Sequence, residues 1–335
     1  MDGMSHSALA DPPAPGGGTR SLVHRQRSWE PFGLSDATAD HRQEFVLTGE
    51  LTTGHPLVAA GPHRFHDLQT AVEMVRETGE FIGQTHFSVP ANRTAVFYRV
   101  AVATRDVSAW RASTDARERP ALLTSELRVR PDKVIDGVPR SLRFSTLLSI
   151  DDVPCGSGSA DVVFLPPVVH RNHRVLSLAT ALTALTAPTG ESGAGRPADP
   201  ADVGRSHPET VLVHGPFDLT HGRLSATVRI PDSWPLPDGA AEGHVPALVQ
   251  LEALRQTALL AAGRMHQLAT DRCTLGSLKV HFRGYAEPDM AMRCAAVVGL
   301  CGRDAEGRRL SPVTLTLAQG GRAVLEAVVT VVEDL

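Results

Sequence analysis

The chain has 335 residues and a formal net charge of −4. That length suffices for two domains, each burying its own core, and the charge leaves no basic footprint of the kind that binding nucleic acid requires. No stretch approaches the roughly 20 consecutive apolar residues of a membrane span, and the Pro/Gly-rich start "MDGMSHSALADPPAPGGG" lacks the positive n-region and apolar core of a secretory signal. These features predict a cytoplasmic protein with neither a nucleic-acid nor a membrane partner, and a disordered N-terminus over 1–19.

In chain order, the first half offers strand candidates "SLVHRQ" and "EFVLTGEL", then a helix over about 68–84. The strands "AVFYRVAVA", "SELRVRP", "SLRFSTLLSI" and "ADVVFLP" follow, separated by turn residues. The stretch 167–185 reads as a connecting helix, and Pro/Gly-rich 186–209 as a linker. The second half repeats the order. Strands "ETVLVHGPFDL" and "GRLSATVRIP" precede a helix over about 245–268, and "GSLKVHFRGYA", "MAMRCAAVVGLC", "SPVTLTLAQ" and "AVLEAVVTVVE" come after it. Cys155, Cys273, Cys294 and Cys301 form no C-x-x-C pair and no zinc spacing, so they read as reduced core thiols, and no metal site is expected.

The second helix, within "GHVPALVQLEALRQTALLAAG" (243–263), is apolar on nearly every side yet carries Glu252 and Arg255. A charge taken from water must be paired, hydrogen-bonded or used chemically. Spacing of i, i+3 and i+4 puts Glu252, Arg255 and Gln256 on one face. An isolated E-x-x-R is ordinarily a surface ion pair worth about 0.3–0.5 kcal/mol. Here, however, "FHDLQTAVEMVRETGEFIG" repeats it as Glu73 and Arg76, and 252 − 73 and 255 − 76 both equal 179. The constant offset points to internal duplication, with Glu77 aligned on Gln256.

One long apolar helix within a run of antiparallel strands is the pattern of a hot-dog fold, and two copies make a double hot dog of the α+β class. The expected units are 20–166 for the first hot-dog domain, 167–209 for the connecting segment and linker, and 210–335 for the second hot-dog domain.

The motif "GHVPALVQLEALRQTA", together with "LVHR", "DLQTAVEMVRETG", "ADVGRSHPETVLV" and "FRGYAEPD", resembles the A-factor biosynthesis (AfsA-like) family of γ-butyrolactone synthases. Gly243 stands where the family motif has Asp, and Ala247 where it has Gly. The resemblance implies an acyltransferase that moves a β-ketoacyl group from an acyl carrier protein thioester to dihydroxyacetone phosphate, toward a butyrolactone, butenolide or furan signalling molecule, with no cofactor. It implies Glu73, Glu252 and Arg255 as catalytic residues. Chemically, a carboxylate would take the acceptor hydroxyl's proton, and Arg255 would hold the acceptor phosphate. Arg76, Gln256, His244, Ala247 and Leu248 complete the set as substrate-binding residues, with helix N-terminal amides around 247–249 facing the oxyanion. His244 has a structural alternative, its ring bonded to backbone. The run His170, Arg171, His173, Arg174 is either a solvated loop or a receiver of phosphate or of a carrier protein's acidic face. The competing functions are a hot-dog thioesterase or dehydratase acting on acyl thioesters, and a non-catalytic acyl or lactone binder. The oligomeric state stays open.

Overall fold

The computed structural model describes residues 22–24, 43–51, 64–112, 121–185, 195–217, 219–230, 243–288 and 290–335. The expected N-terminal tail, 1–19, lies outside them. In the first half, β1 (Leu22–His24) and β2 (Gln43–Leu51) precede α1 (Gln69–His86). Then come β3 (Thr94–Thr104), β4 (Ala121–Ile135), β5 (Val138–Ile150), β6 (Val153–Leu165) and α2 (Pro167–Leu185). In the second half, β7 (Val213–His214) and β8 (Arg223–Val228) precede α3 (Ala247–His266). The remaining strands are β9 (Cys273–Phe282), β10 (Met292–Val298), β11 (Gly302–Arg303), β12 (Arg309–Gln319) and β13 (Arg322–Glu333).

Period-two patterning drives these strands. Along β10, Met292, Cys294, Ala296 and Val298 are buried while Arg293, Ala295 and Val297 face out. All pairings are antiparallel, in the order β1-β2-β4-β5-β6-β3-β9-β13-β12-β10-β8-β7, with β11 on β12. Each position counted from one end is matched from the other by the strand holding the same place in its half. The two halves meet where β3 pairs with β9, from Arg99 opposite His281 to Ala103 opposite Ser277, and Thr104 Oγ1 donates to Gly276 O at 3.0 Å. Backbone hydrogen bonds therefore run through the junction, leaving neither central strand with an open edge.

The two long helices bury different fractions of their surface. On α3 every residue from Leu248 to Ala262 is buried, as its lack of a polar face requires. On α1, Ala71, Val72, Met74, Val75 and Ile82 are buried, whereas Glu80 and Phe81 are exposed. Gly79 and Gly83, one turn apart, let α1 approach the sheet: a Cβ on Gly79 would stand 2.5 Å from the Phe97 ring, and one on Gly83 2.4 Å from Phe164. Helical preference is given up there for close packing.

Two sequence expectations need correction. The region 186–209 is not simply a linker, because residues 195–209 are structured. Asp199 caps a short 3-10 helix, Pro200–Val203, accepting from the Ala201 amide at 3.0 Å, and Gly204 ends it in the left-handed region at φ 62°. The Pro and Gly that read as linker punctuation are a helix start and stop. Likewise "ETVLVHGPFDL" forms only the two-residue β7, preceded by a 3-10 turn at Pro208–Thr210. Among the described residues, no helix is long and apolar enough to cross a membrane.

Candidate active site

Glu252 lies in the second turn of α3 and is completely buried. Its Oε1 accepts from Arg205 Nε at 2.8 Å, Arg255 Nη2 at 3.0 Å and Gln256 Nε2 at 2.7 Å. Its Oε2 accepts from Gln69 Nε2 at 2.7 Å and Arg255 Nε at 2.9 Å, with Arg205 Nη2 at 2.6 Å. Asp67 approaches from the other side, 3.3 Å from Arg205 and 3.7 Å from Arg255. Two carboxylates and two guanidiniums thus cancel in a site closed to water, which is what makes the burial tolerable.

The surroundings complete the pairing. Arg255 Nη2 also donates to Val203 O at 3.2 Å and Gly204 O at 3.4 Å, so the structured 195–204 segment closes over α3. Gln256 donates to Thr210 O and accepts from the Leu212 amide, both at 2.8 Å, locking the chain that leads into β7. Burial alone would raise the Glu252 pKa, but Arg205 and Arg255 outweigh it and hold the carboxyl down to about 2. Burial likewise opposes the charge on Arg255, and Glu252 and Asp67 more than restore it.

This geometry revises two expected roles. Glu252 is a weak base with both oxygens occupied, so in this state it does not fit the part of proton acceptor for a substrate hydroxyl. Arg255 spends its Nε and Nη2 on protein oxygens and is 5 % exposed, so it does not present a free fork to a phosphate. Gln256 is a structural brace.

Glu73, the repeat mate of Glu252, is in a different condition. It is 9 % exposed, and among the described residues its partner is Arg76, which grips both oxygens at 2.8 and 2.5 Å while remaining itself half-exposed. Gln69 and Glu73 are four residues apart on α1 and share a face. The 179-residue offset maps Gln69 onto Leu248, so the amide that serves Glu252 is replaced by a hydrocarbon in the other copy. The Glu77 side chain lies outside the described residues.

His244 sits at the α3 entrance with its ring edge-on to Tyr285 at 5.0 Å. Ala247 opens the helix and Leu248 is buried. Their first-turn amides lack intrahelical acceptors by helix geometry, and Gln250 braces the entrance by donating to Val245 O at 2.9 Å. Next to α1 lies a small apolar cavity of about 10 Å³, lined by Val72, Val75, Phe97, Val102, Leu127 and Phe144 among others. The three buried thiols are poor nucleophiles, because burial pushes Cys155 up to about 11, and Cys273 and Cys294 to about 12; Cys301, expected with them in the core, is exposed.

Sequence reasoning did not find Asp67, Gln69 or Arg205. Asp67 and Gln69 flank the start of α1, in the "HDLQT" stretch, and Arg205 lies in "ADVGRSHPE", a segment singled out by resemblance but read as linker.

Such a sheet with buried central helices defines a hot-dog-fold protein. Two solved structures share the fold over most of both chains. The 12:0-ACP thioesterase from Umbellularia californica is 13% identical, with 87% of this chain and 94% of that chain covered at a TM-score of 0.51. A Lactobacillus plantarum protein assigned as an oleoyl thioesterase is 10% identical, with 87% and 95% covered at a TM-score of 0.50. Residues 186–332, most of the second half of the chain, match the A-factor biosynthesis hotdog domain. That match takes in the 195–209 segment and with it Arg205. No curated protein matches the chain in sequence.

Proposed function

We propose that the chain is a double hot-dog acyltransferase that moves a β-ketoacyl group from an acyl carrier protein thioester to dihydroxyacetone phosphate, in the biosynthesis of a butyrolactone-type signalling molecule. The A-factor biosynthesis hotdog domain over residues 186–332 is the observation that carries this reading. The strand order, which repeats from either end, supports two hot-dog units joined at β3 and β9.

The asymmetry between the two E-x-x-R copies divides the work. Glu252, saturated by Arg205, Arg255, Gln69 and Gln256, is a positioning residue that ties α3 to the start of α1 and to the 203–205 segment. Glu73 has fewer donors and some exposure, and it takes the acceptor hydroxyl's proton once substrate displaces half-exposed Arg76. The alkoxide attacks the thioester carbonyl, amides of the first turn of α3, from Ala247 on, stabilise the oxyanion, and the carrier thiolate leaves with a proton from Glu73. The apolar residues Val72, Val75 and Phe97 beside α1 offer a surface of the kind an acyl chain would pack against.

The test is mass spectrometry of purified protein incubated with a β-ketoacyl carrier thioester, with and without dihydroxyacetone phosphate. An acyl ester that forms only with acceptor present is the expected outcome. Free acid or enoyl thioester formed equally without acceptor would replace this reading with a thioesterase or dehydratase.

A further inference from the structure

The α2 helix begins at Pro167, directly after β6, and its first two turns carry His170, Arg171 and Arg174. Together with Asn92, Thr94 and Glu287 they line an open pocket of about 530 Å³. The pocket is set on a rigid frame. Gln319 accepts from the Glu287 amide and donates to the Glu287 carbonyl, both at 2.7 Å, and also donates to Met290 O at 2.9 Å. Arg174 stands 5.6 Å over the Tyr285 ring, and His170 and His244 meet the same ring edge-on at 5.5 and 5.0 Å.

Among the described residues that line the pocket, the carboxylate is Glu287, 3.4 Å from Arg174, and no ion pair is made by Arg171 among the described residues. Arg171 is exposed at the pocket wall, one turn from the helix start, where first-turn amides also favour an anion. Arg174 reaches the other way and donates to Gly243 O at 2.9 Å, four residues before the first residue of α3. From there Glu252 is five residues further, about 7.5 Å of helical rise. A cationic pocket with hydroxyl and amide groups in its wall is thus coupled through Arg174 and the Tyr285 ring to the entrance of the candidate active site.

We propose that this pocket binds a phosphate ester, with Arg171 and Arg174 as its charged contacts and His170, Asn92 and Thr94 as further hydrogen-bonding ones. Arg suits such an anion because its planar fork stays charged and can engage two oxygens. The choice of ester rests on the acyltransferase reading, which supplies two sources: the acceptor, dihydroxyacetone phosphate, and the phosphopantetheine arm of the carrier. Arg171 and Arg174 then supply the phosphate contact that Arg255, engaged with Glu252, does not.

The experiment is calorimetric titration of the full chain with dihydroxyacetone phosphate and, separately, with pantetheine 4′-phosphate, repeated on Arg171→Glu and Arg174→Gln. Arg171 is exposed and makes no ion pair among the described residues, so Arg171→Glu tests the pocket without threatening the fold. Saturable binding of one ester, weakened about tenfold or more by Arg171→Glu, is expected. The ester that binds identifies the source. Binding of neither, or affinities unchanged in both variants, overturns the proposal. Transfer kinetics separate the two readings. Arg-dependent ester binding with no acyl transfer leaves the pocket standing and removes the acyltransferase. Transfer with an unchanged KM in Arg171→Glu, and no Arg-dependent binding, does the reverse.

Discussion

Gln69, the first residue of α1, donates its side-chain amide to Glu252 on α3 at 2.7 Å, joining positions 183 residues apart inside a fully buried site. The bond ties one half of the molecule to the charged centre of the other. Replacing Gln69 by Leu, the residue its repeat mate Leu248 already is, removes one donor to a buried carboxylate and costs about 1.5–3 kcal/mol. Urea unfolding measures this, and a double-mutant cycle with Gln256→Leu, the other amide on Glu252, should show non-additivity, because both amides serve one carboxylate. Strict additivity would mean that the two amides act on Glu252 independently, and an unchanged Gln69→Leu midpoint that the Gln69 contact contributes nothing.

Arg205→Ala leaves Glu252 and Asp67 facing Arg255 alone in a space closed to water. Breaking a buried ion pair from one side costs about 3–5 kcal/mol, far more than the surface pair Arg283 with Glu326, for which Arg283→Ala should cost under about 1 kcal/mol. Equal midpoints in denaturant for the two variants would show that the Arg205 contact is not the fixed one described.

The division between the two glutamates is separable by experiment. Glu73→Gln should keep wild-type unfolding behaviour within about 1 kcal/mol, because its ion pair with Arg76 is half-exposed, yet lower transfer about a hundredfold. Glu252→Gln should lower stability first, and lose activity in step with the folded fraction. If Glu73→Gln retains full transfer while folded Glu252→Gln has none, the base belongs to the second copy after all.

The repeat explains how much of this was legible. An E-x-x-R pair twice at a fixed offset marked both long helices, and alternation marked most strands, because each depends on neighbours within about two turns or a few residues. Arg205, Asp67 and Gln69 lack that protection. They lie at or beyond the ends of the periodic helices, and their partners are distant in sequence: Gln69 reaches Glu252 across 183 residues, Asp67 reaches Arg205 across 138, and Arg205 reaches Glu252 across 47. Pro200 and Gly204 misled for a related reason, since the same residues that interrupt a linker also start and stop a 3-10 helix. The repeat also hid a difference: the spacing is identical, while Glu252 has Gln69, Arg205 and Gln256 as donors beside its own Arg255 and Glu73 has Arg76 among the described residues.

Gly83→Ala sets helix preference against packing. Alanine should gain about 1 kcal/mol within α1 on propensity alone. The added methyl, however, would lie 2.4 Å from the ring of Phe164, which is 2 % exposed. Overpacking of this kind costs about 1–3 kcal/mol, so net destabilisation is expected in thermal or denaturant unfolding. A stabilised variant would show that α1 can lift from the sheet at little cost.

The ion network also fixes a pH dependence. Despite burial, Arg205 and Arg255 lower the Glu252 pKa from an ordinary 4.5 to about 2. A carboxyl whose folded pKa is depressed contributes stability that is complete above its unfolded value and disappears as pH falls through its folded one. The contribution of Glu252 is therefore constant above about pH 5 and is lost between about pH 4.5 and 2. Asp334, held low chiefly by its hydrogen bond with Arg111, and Asp304, held low by Arg308 against the opposing effect of burial, add to the same acid limb. The Glu252 share is obtained by difference: urea unfolding from pH 6 to pH 2, compared between wild type and Glu252→Gln, should give curves that converge at low pH. Asp334→Asn provides the same comparison for a carboxylate outside the network, and it should flatten the limb independently of Glu252→Gln. Parallel wild-type and Glu252→Gln curves across the whole range would mean that Glu252 titrates at the same pH folded and unfolded, and the charge-balanced site would have to be abandoned.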